Sequence, residues 1–208
     1  MIAIVDYGAG NLQSVRKALS YIGADSCIAA TREQIEAADA VILPGVGAFG
    51  HAMARLRESG LCDAVREAAL SKKPFLGICL GLQMLFEESE ESPGERGLSV
   101  LEGTVRRFPA QKGLKVPQIG WNSVSPKPGC PLFAGVPDEA FVYFVHSYYL
   151  CAAHAENVAA TAQYGVLFHA AAEDRARRLY ATQFHPEKSG EIGLRILQNF
   201  AALQKEGN

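Results

Sequence analysis

The sequence predicts an α/β fold: a mostly parallel, twisted sheet flanked by helices on both faces, with antiparallel strand additions. Three observations predict it. Short apolar runs alternate with helical patterns through residues 1–88, which is how successive β-α units read. Those runs are apolar at consecutive positions, as strands covered on both faces are. After residue 97 the pattern changes to short strands separated by turns, the signature of antiparallel pairing.

The elements follow in order. Residues 2–5 (Ile-Ala-Ile-Val) form a strand that stops at Asp6-Tyr7-Gly8. Residues 11–22 place Leu12, Val15, Leu19 and Ile22 on one helical face, and Gly23 ends that helix. Residues 26–29 form a strand. Thr31 followed by Gln34 is a capping-box pattern for a short helix. Residues 40–43 form a strand closed by Pro44-Gly45, and residues 51–59 and 61–71 are helical. A buried strand at 74–78 leads into a helix at 80–88. Residues 89–97 are polar, carry Pro93, Gly94 and Gly97, and form a loop. Strands are expected at 103–108, 116–119, 141–147, 158–162, 167–172 and 180–184. A closing helix at 189–204 turns Ile192, Ile196, Leu197 and Phe200 inward, with Ser189 as its cap. No repeat or linker divides the chain, so residues 1–208 read as one domain.

Composition narrows the function. Hydrophobic residues make up 49% of the chain and charged residues 20%, enough for a sizeable core. A net charge of -2 gives no electrostatic reason to expect nucleic acid. No apolar run approaches the roughly 20 residues that cross a bilayer. The first residues read as a strand, without a signal-peptide pattern. The five cysteines are odd in number and lack CxxC spacing, and the five histidines lack metal-ligand spacing. Neither a disulfide framework, a metal site nor a cofactor is expected. A free thiol suits a reducing, cytoplasmic setting.

Gly77-Ile78-Cys79-Leu80-Gly81 lies between a predicted strand and a predicted helix, the nucleophile-elbow pattern with Cys in the Ser position. A sharp turn there lifts the thiol above the sheet edge and demands small residues two positions either side. The following helix start favours thiolate, and the Leu80 N–H is free to bind an oxyanion. The other four cysteines, Cys27, Cys62, Cys130 and Cys151, lack that context and read as structural. Gln183-Phe184-His185-Pro186-Glu187 ends the last strand. Residues two apart on extended chain face the same way, so His185 can serve as base with Glu187 orienting it. Strand ends gather on one edge of a parallel sheet, where Cys79 also lies. Pro44-Gly45-Val46-Gly47 supplies candidate second oxyanion donors through glycine-permitted backbone approach. Among the remaining histidines, His146 stands out, because it opens His146-Ser147-Tyr148.

Together, Pro44-Gly45-Val46-Gly47, Gly77-Ile-Cys79-Leu-Gly81-Leu-Gln83 and His185-Pro186-Glu187 resemble the class I (triad-type) glutamine amidotransferase family. Four further segments look like those of the glutaminase subunits of imidazole glycerol phosphate synthases. They are Asp6-Tyr7-Gly8-Ala-Gly10-Asn11-Leu12, Pro117-Gln-Ile-Gly120-Trp121-Asn122, Tyr143-Phe-Val-His146-Ser147-Tyr148 and Gln183-Phe-His-Pro-Glu-Lys188-Ser189-Gly190. Gln118 departs from the pattern, since many relatives carry His there.

The resemblance implies a catalytic triad of Cys79, His185 and Glu187, with Leu80, Val46 and Gly47 around the oxyanion. It implies that Gln83, Ser147 and Tyr148 bind the amino-acid end of L-glutamine. It implies a heterodimer with a β/α-barrel cyclase subunit, which receives ammonia and makes imidazole glycerol phosphate and an aminoimidazole carboxamide ribotide in histidine biosynthesis. Asn11, Trp121, Asn122 and Lys188 are expected to face that partner. Val46 stands where some relatives carry glycine, so the Val46–Gly47 peptide is expected to complete the oxyanion site only once the partner is occupied. Three alternatives stay open on the sequence: a glutaminase serving another synthase such as anthranilate synthase, a thiol hydrolase outside the family, and a regulatory binding domain that keeps the fold.

Overall fold

The computed structural model describes residues 1–204. Twelve strands form the sheet: β1 (Ile2–Val5), β2 (Ser26–Ala29), β3 (Ala40–Gly45), β4 (Phe75–Cys79), β5 (Glu88–Ser89), β6 (Gly103–Arg107), β7 (Gln118–Pro126), β8 (Ala140–His146), β9 (Tyr148–Ala152), β10 (Val158–Tyr164), β11 (Val166–Asp174) and β12 (Leu179–Thr182). The α-helices are α1 (Leu12–Tyr21), α2 (Arg32–Ala37), α3 (Phe49–Glu58), α4 (Cys62–Leu70), α5 (Leu80–Met84) and α6 (Gly190–Leu203). The main path runs β2-β1-β3-β4-β12-β11-β10-β7-β8, with β9, β6 and β5 branching from β11.

From β2 to β12 the pairing is parallel. Beyond β12 it is antiparallel along the path. Strands β1, β3, β4 and β12 are buried at every position. Two apolar layers cover the sheet. One contains Val5, Leu43, Phe49, Leu82 and Phe86. The other contains Ile4, Ile78, Phe144, Phe184 and Phe200.

Local signals act where the sequence places them. Gly23, at φ +72°, ends α1. Its N–H donates to Ser20 O and that of Ala24 to Leu19 O, a Schellman closure. The Thr31 hydroxyl accepts from Gln34 N, and Gln34 Oε1 accepts from Thr31 N, completing the capping box.

Several expectations change. The helix after the elbow ends at Met84 rather than residue 88. The chain returning at 97–101 takes its carbonyls: Leu98 N donates to Met84 O, Val100 N to Leu85 O and Ser99 N to Phe86 O. Ser89 joins the short strand β5 instead of the following loop. The strand expected at 116–119 runs Gln118–Pro126, because β8 pairs with residues 118–124 and β10 with residues 125 and 126. An unexpected strand, β9, contains Cys151 and pairs with β6. Helix α3 begins at Phe49, where Glu91 Oε2 and Ser92 Oγ accept from the N–H groups of Phe49 and Gly50. Ser189 makes no side-chain cap to α6. Its hydroxyl donates to His185 O and accepts from Tyr143 N, tying β8 to the turn at 185–189.

Candidate active site

Register brings the chemistry together. Gly45 pairs with Cys79 across β3 and β4, and Thr182 with Ile78 across β12 and β4. Three parallel strands therefore end side by side, and the chain segments that leave them converge.

Cys79 occupies the left-handed region at φ 56°, a conformation that costs a non-glycine residue roughly 1–3 kcal/mol. Its neighbours make the turn possible. A Cβ on Gly81 would stand 1.9 Å from Leu43 O, one on Gly77 2.8 Å from Gly81 O, and one on Gly45 2.7 Å from Gly81 N. Only glycine fits at these three close approaches, which matches the demand for small residues around the elbow. Helix α5 is a short element, so its dipole acts on the sulfur only weakly.

His185 follows β12 by a short extended stretch, and its N–H donates to Tyr143 O. Its ring Nδ1 donates to Glu187 Oε1 at 2.8 Å, and both side chains are buried. Burial pushes the imidazolium down, but contact with Cys79 and with Glu187 outweighs it and raises the group to about 9. An imidazolium beside Cys79 is the electrostatic partner that a thiolate requires. Glu187 Oε2 is buried without a hydrogen bond, so the carboxylate faces His185 with little competition.

A cavity of about 340 Å³ opens over Cys79. Its wall brings together Cys79, His185, Leu80, Val46, Gly47, Gln83, Ser147, Tyr148 and Lys188. Glu187 sits behind His185. Asn11, Trp121 and Asn122 lie outside the wall. Trp121 is 55% exposed on β7, so it is no core aromatic, and its ring meets Tyr143 edge to face. Asn122 Nδ2 donates to Gln163 O. Asn11 precedes α1 without a side-chain cap bond.

Four residues of the site carry no sequence signal that singles them out for a role. Glu91 lines the cavity while holding the start of α3; it sits in a loop with no motif to mark it. Tyr7 is buried and its hydroxyl donates to Pro44 O at 3.0 Å, bracing the loop that carries Val46. Burial, then the Cys79 charge, raises the Tyr7 phenol and keeps it a donor. Gln183, beside His185 in sequence, points its Nε2 at Cys79 Sγ, 3.8 Å away. Gln118 is buried and its Oε1 lies 2.9 Å from His146 Nε2.

His146 lines the same cavity at the end of β8. Its Nδ1 lies 2.8 Å from Tyr148 O, and that carbonyl can only accept. Burial lowers the ring to about 4, with His185 adding in the same direction. A ring held neutral and donating at Nδ1 accepts at Nε2, so the Gln118 amide is to be turned over, with its nitrogen rather than its Oε1 toward the ring. An amide at 118 thus does what the bond requires.

Among the described residues no cluster of His, Cys, Asp and Glu could hold a metal ion, and no helix is long and apolar enough to cross a membrane.

The family model described as glutamine amidotransferase class-I matches residues 3–203. A Methanosarcina mazei protein named imidazole glycerol phosphate synthase subunit HisH is 50% identical over 202 residues, covering 97% of this chain and 98% of its own. The HisH protein of Thermosynechococcus vestitus is 50% identical over 206 residues, covering 99% and 98%. Among solved structures, a crystal structure of a glutamine amidotransferase is similar with a TM-score of 0.71 at 20% identity, over 99% of this chain and 100% of its own. The PurLQS structure from Thermotoga maritima gives 0.75 at 18%, over 96% of each chain. At those identities the structural likeness speaks for the fold.

Proposed function

Because the chain belongs to the glutamine amidotransferase class-I family, we propose that Cys79, His185 and Glu187 form the triad with which it hydrolyses L-glutamine, and that it passes the ammonia to a cyclase partner. One observation carries the catalytic reading. The Cys79 turn and the His185–Glu187 pair leave adjacent parallel strands and meet at one cavity.

The chemistry follows from the groups present. The Cys79 thiolate attacks the side-chain amide carbon of glutamine, and the amide oxygen takes the negative charge. The Leu80 N–H and the Val46–Gly47 peptide bind that oxyanion once their N–H groups face it. The His185 imidazolium gives its proton to the departing nitrogen, and ammonia leaves a glutamyl thioester on Cys79. Neutral His185 then takes a proton from water, which attacks the thioester and releases glutamate. Glu187 fixes the ring through Nδ1 and stabilises its cation. Gln83, Ser147 and Tyr148 hold the amino-acid end of the substrate, and the Glu91 carboxylate offers its ammonium a countercharge.

The relatives named imidazole glycerol phosphate synthase subunit HisH support a heterodimer with a β/α-barrel cyclase subunit. That subunit uses the ammonia to make imidazole glycerol phosphate and an aminoimidazole carboxamide ribotide. Exposed Trp121, with Asn11, Asn122 and Lys188, belongs to the partner-facing side; an aromatic anchor is a common interface centre. The family match across residues 3–203 supports one amidotransferase domain. A reactive thiol supports residence in the reducing cytoplasm.

The test is a glutaminase assay with and without the cyclase and its ribonucleotide ligand. Cys79→Ala is expected to lose at least about 1000-fold in turnover, and the wild-type chain alone to run far below the complex. Comparable hydrolysis by Cys79→Ala would refute the triad, and full activity without the cyclase would refute the dependence on the partner.

A further inference from the structure

We propose that Gln183 is a positioning residue that links the amide of Gln83, at the substrate end of the cavity, to the sulfur of Cys79. The inference deepens the catalytic reading and rests on Cys79 being the nucleophile.

Gln183 is fully buried. A primary amide in that position costs free energy unless both of its ends are bonded. Both are, and a backbone carbonyl sets their direction. Tyr148 O can only accept, so the Gln83 group 3.2 Å from it is the Nε2 donor. The second N–H of that nitrogen points at Gln183 Oε1, 3.1 Å away. The Gln183 oxygen is therefore turned toward Gln83 and its nitrogen toward Cys79 Sγ, at 3.8 Å. The row reads Tyr148 carbonyl, Gln83 amide, Gln183 amide, Cys79 sulfur, with every N–H pointing along a defined direction.

The polarity has a consequence at each end. At the sulfur, an N–H donor favours thiolate over thiol. Gln183 directly follows β12, the strand that also leads to His185, so both side chains reach the Cys79 region from one strand end. At the other end, both Gln83 N–H groups are committed inside the protein. Its Oε1 is the polar atom left for the cavity, and an oxygen there suits the ammonium of an amino acid. A substrate that bonds that oxygen polarises the Gln83 amide and strengthens its N–H donors. The Gln183 amide is then held more firmly in the orientation that serves the sulfur. Occupancy of the amino-acid end and readiness of the nucleophile are joined by two side chains.

The readout is the rate at which iodoacetamide alkylates Cys79 in the full chain at pH 7, followed by peptide mass mapping so that the other cysteines are scored separately. Gln183→Met keeps the volume and removes both bonds; alkylation is expected to slow about tenfold, the scale of one hydrogen bond to a charged group. Gln83→Leu frees Gln183 to turn and is expected to slow the reaction about threefold, a fraction of that bond. Gln83→Glu is expected to be slower than Gln83→Leu. A carboxylate only accepts, so it draws the Gln183 nitrogen to itself and turns the oxygen to the sulfur. If Gln183→Met does not fold, judged by thermal unfolding, the Gln83 pair decides. Wild-type alkylation in folded Gln183→Met, or Gln83→Glu as fast as Gln83→Leu, would overturn the proposal. These rates read thiol chemistry without turnover. Failure of the triad reading shows itself separately, as glutaminase activity in Cys79→Ala.

Discussion

The two halves of the sheet are built differently and serve different ends. From β2 to β12 the strands run parallel, and the four inner ones are buried along their whole length. From β11 to β8 they run antiparallel; burial alternates along β8, and β7 is buried only at Gln118 and Val124. The parallel half holds Cys79, His185 and the loop of Val46 at strand ends, where packing on both faces keeps them rigid. The antiparallel half supplies a cavity wall through His146, Ser147 and Tyr148. It also leaves apolar side chains in solvent: Ile119 and Trp121 on β7, Phe141 on β8 and Leu167 on β11. One half is built for chemistry and the other is free to present surface.

Substitutions sharpen that contrast, the severest in the parallel half. Gly81→Ala would drive a Cβ into Leu43 O and is expected to cost about 4 kcal/mol or more; urea unfolding measures it. Unfolding within about 1 kcal/mol of wild type would mean that the elbow yields more than close packing allows.

A buried histidine of the antiparallel half comes next. His146 stays neutral in the fold down to about 4, whereas an unfolded histidine protonates near about 6.5. Its folded value is depressed, so its contribution is present above about pH 6.5 and is lost as the pH falls toward 4. The loss is about 3 kcal/mol across that window. His146→Gln removes the titration, so its unfolding midpoint should fall less steeply with acid than that of the wild type. Parallel slopes would show that His146 titrates alike folded and unfolded.

Smaller in free energy is the charge behind His185. Glu187→Gln keeps an acceptor for His185 Nδ1 but no longer stabilises the cation. Turnover is expected to fall about a hundredfold, with the KM for glutamine changed little. A change confined to KM would place Glu187 in binding instead. The smallest effect on stability belongs to the exposed face. Trp121→Ala should leave the unfolding free energy within about 0.5 kcal/mol while weakening cyclase binding by about 2 kcal/mol. Unchanged cyclase affinity would remove Trp121 from the interface.

Legibility in sequence divides along the same line. β1, β3 and β4 are continuous apolar runs, because strands covered on both faces have no solvent side to encode. The antiparallel strands read with looser bounds. β9 escapes the pattern because Tyr148-Tyr-Leu-Cys-Ala152 carries no turn signal to separate it from β8; its pairing with β6 defines it. Ser189 reads as a helix cap from its position, but nearby backbone groups, Tyr143 N and His185 O, compete for its hydroxyl.

The α/β plan, the glycine-flanked Cys79 turn and the His185–Glu187 pair are all legible in the order of residues. Each depends on short spacing: period two on a strand, or small residues two positions either side of a sharp turn. Packing alone settles that α5 stops at Met84, that Gln118 serves His146, and that Gln183 faces Cys79 with its nitrogen. Those outcomes depend on hydrogen bonds between segments far apart in the chain. A buried donor or acceptor takes whatever partner the packed sheet brings within reach, and no local pattern records which partner that will be.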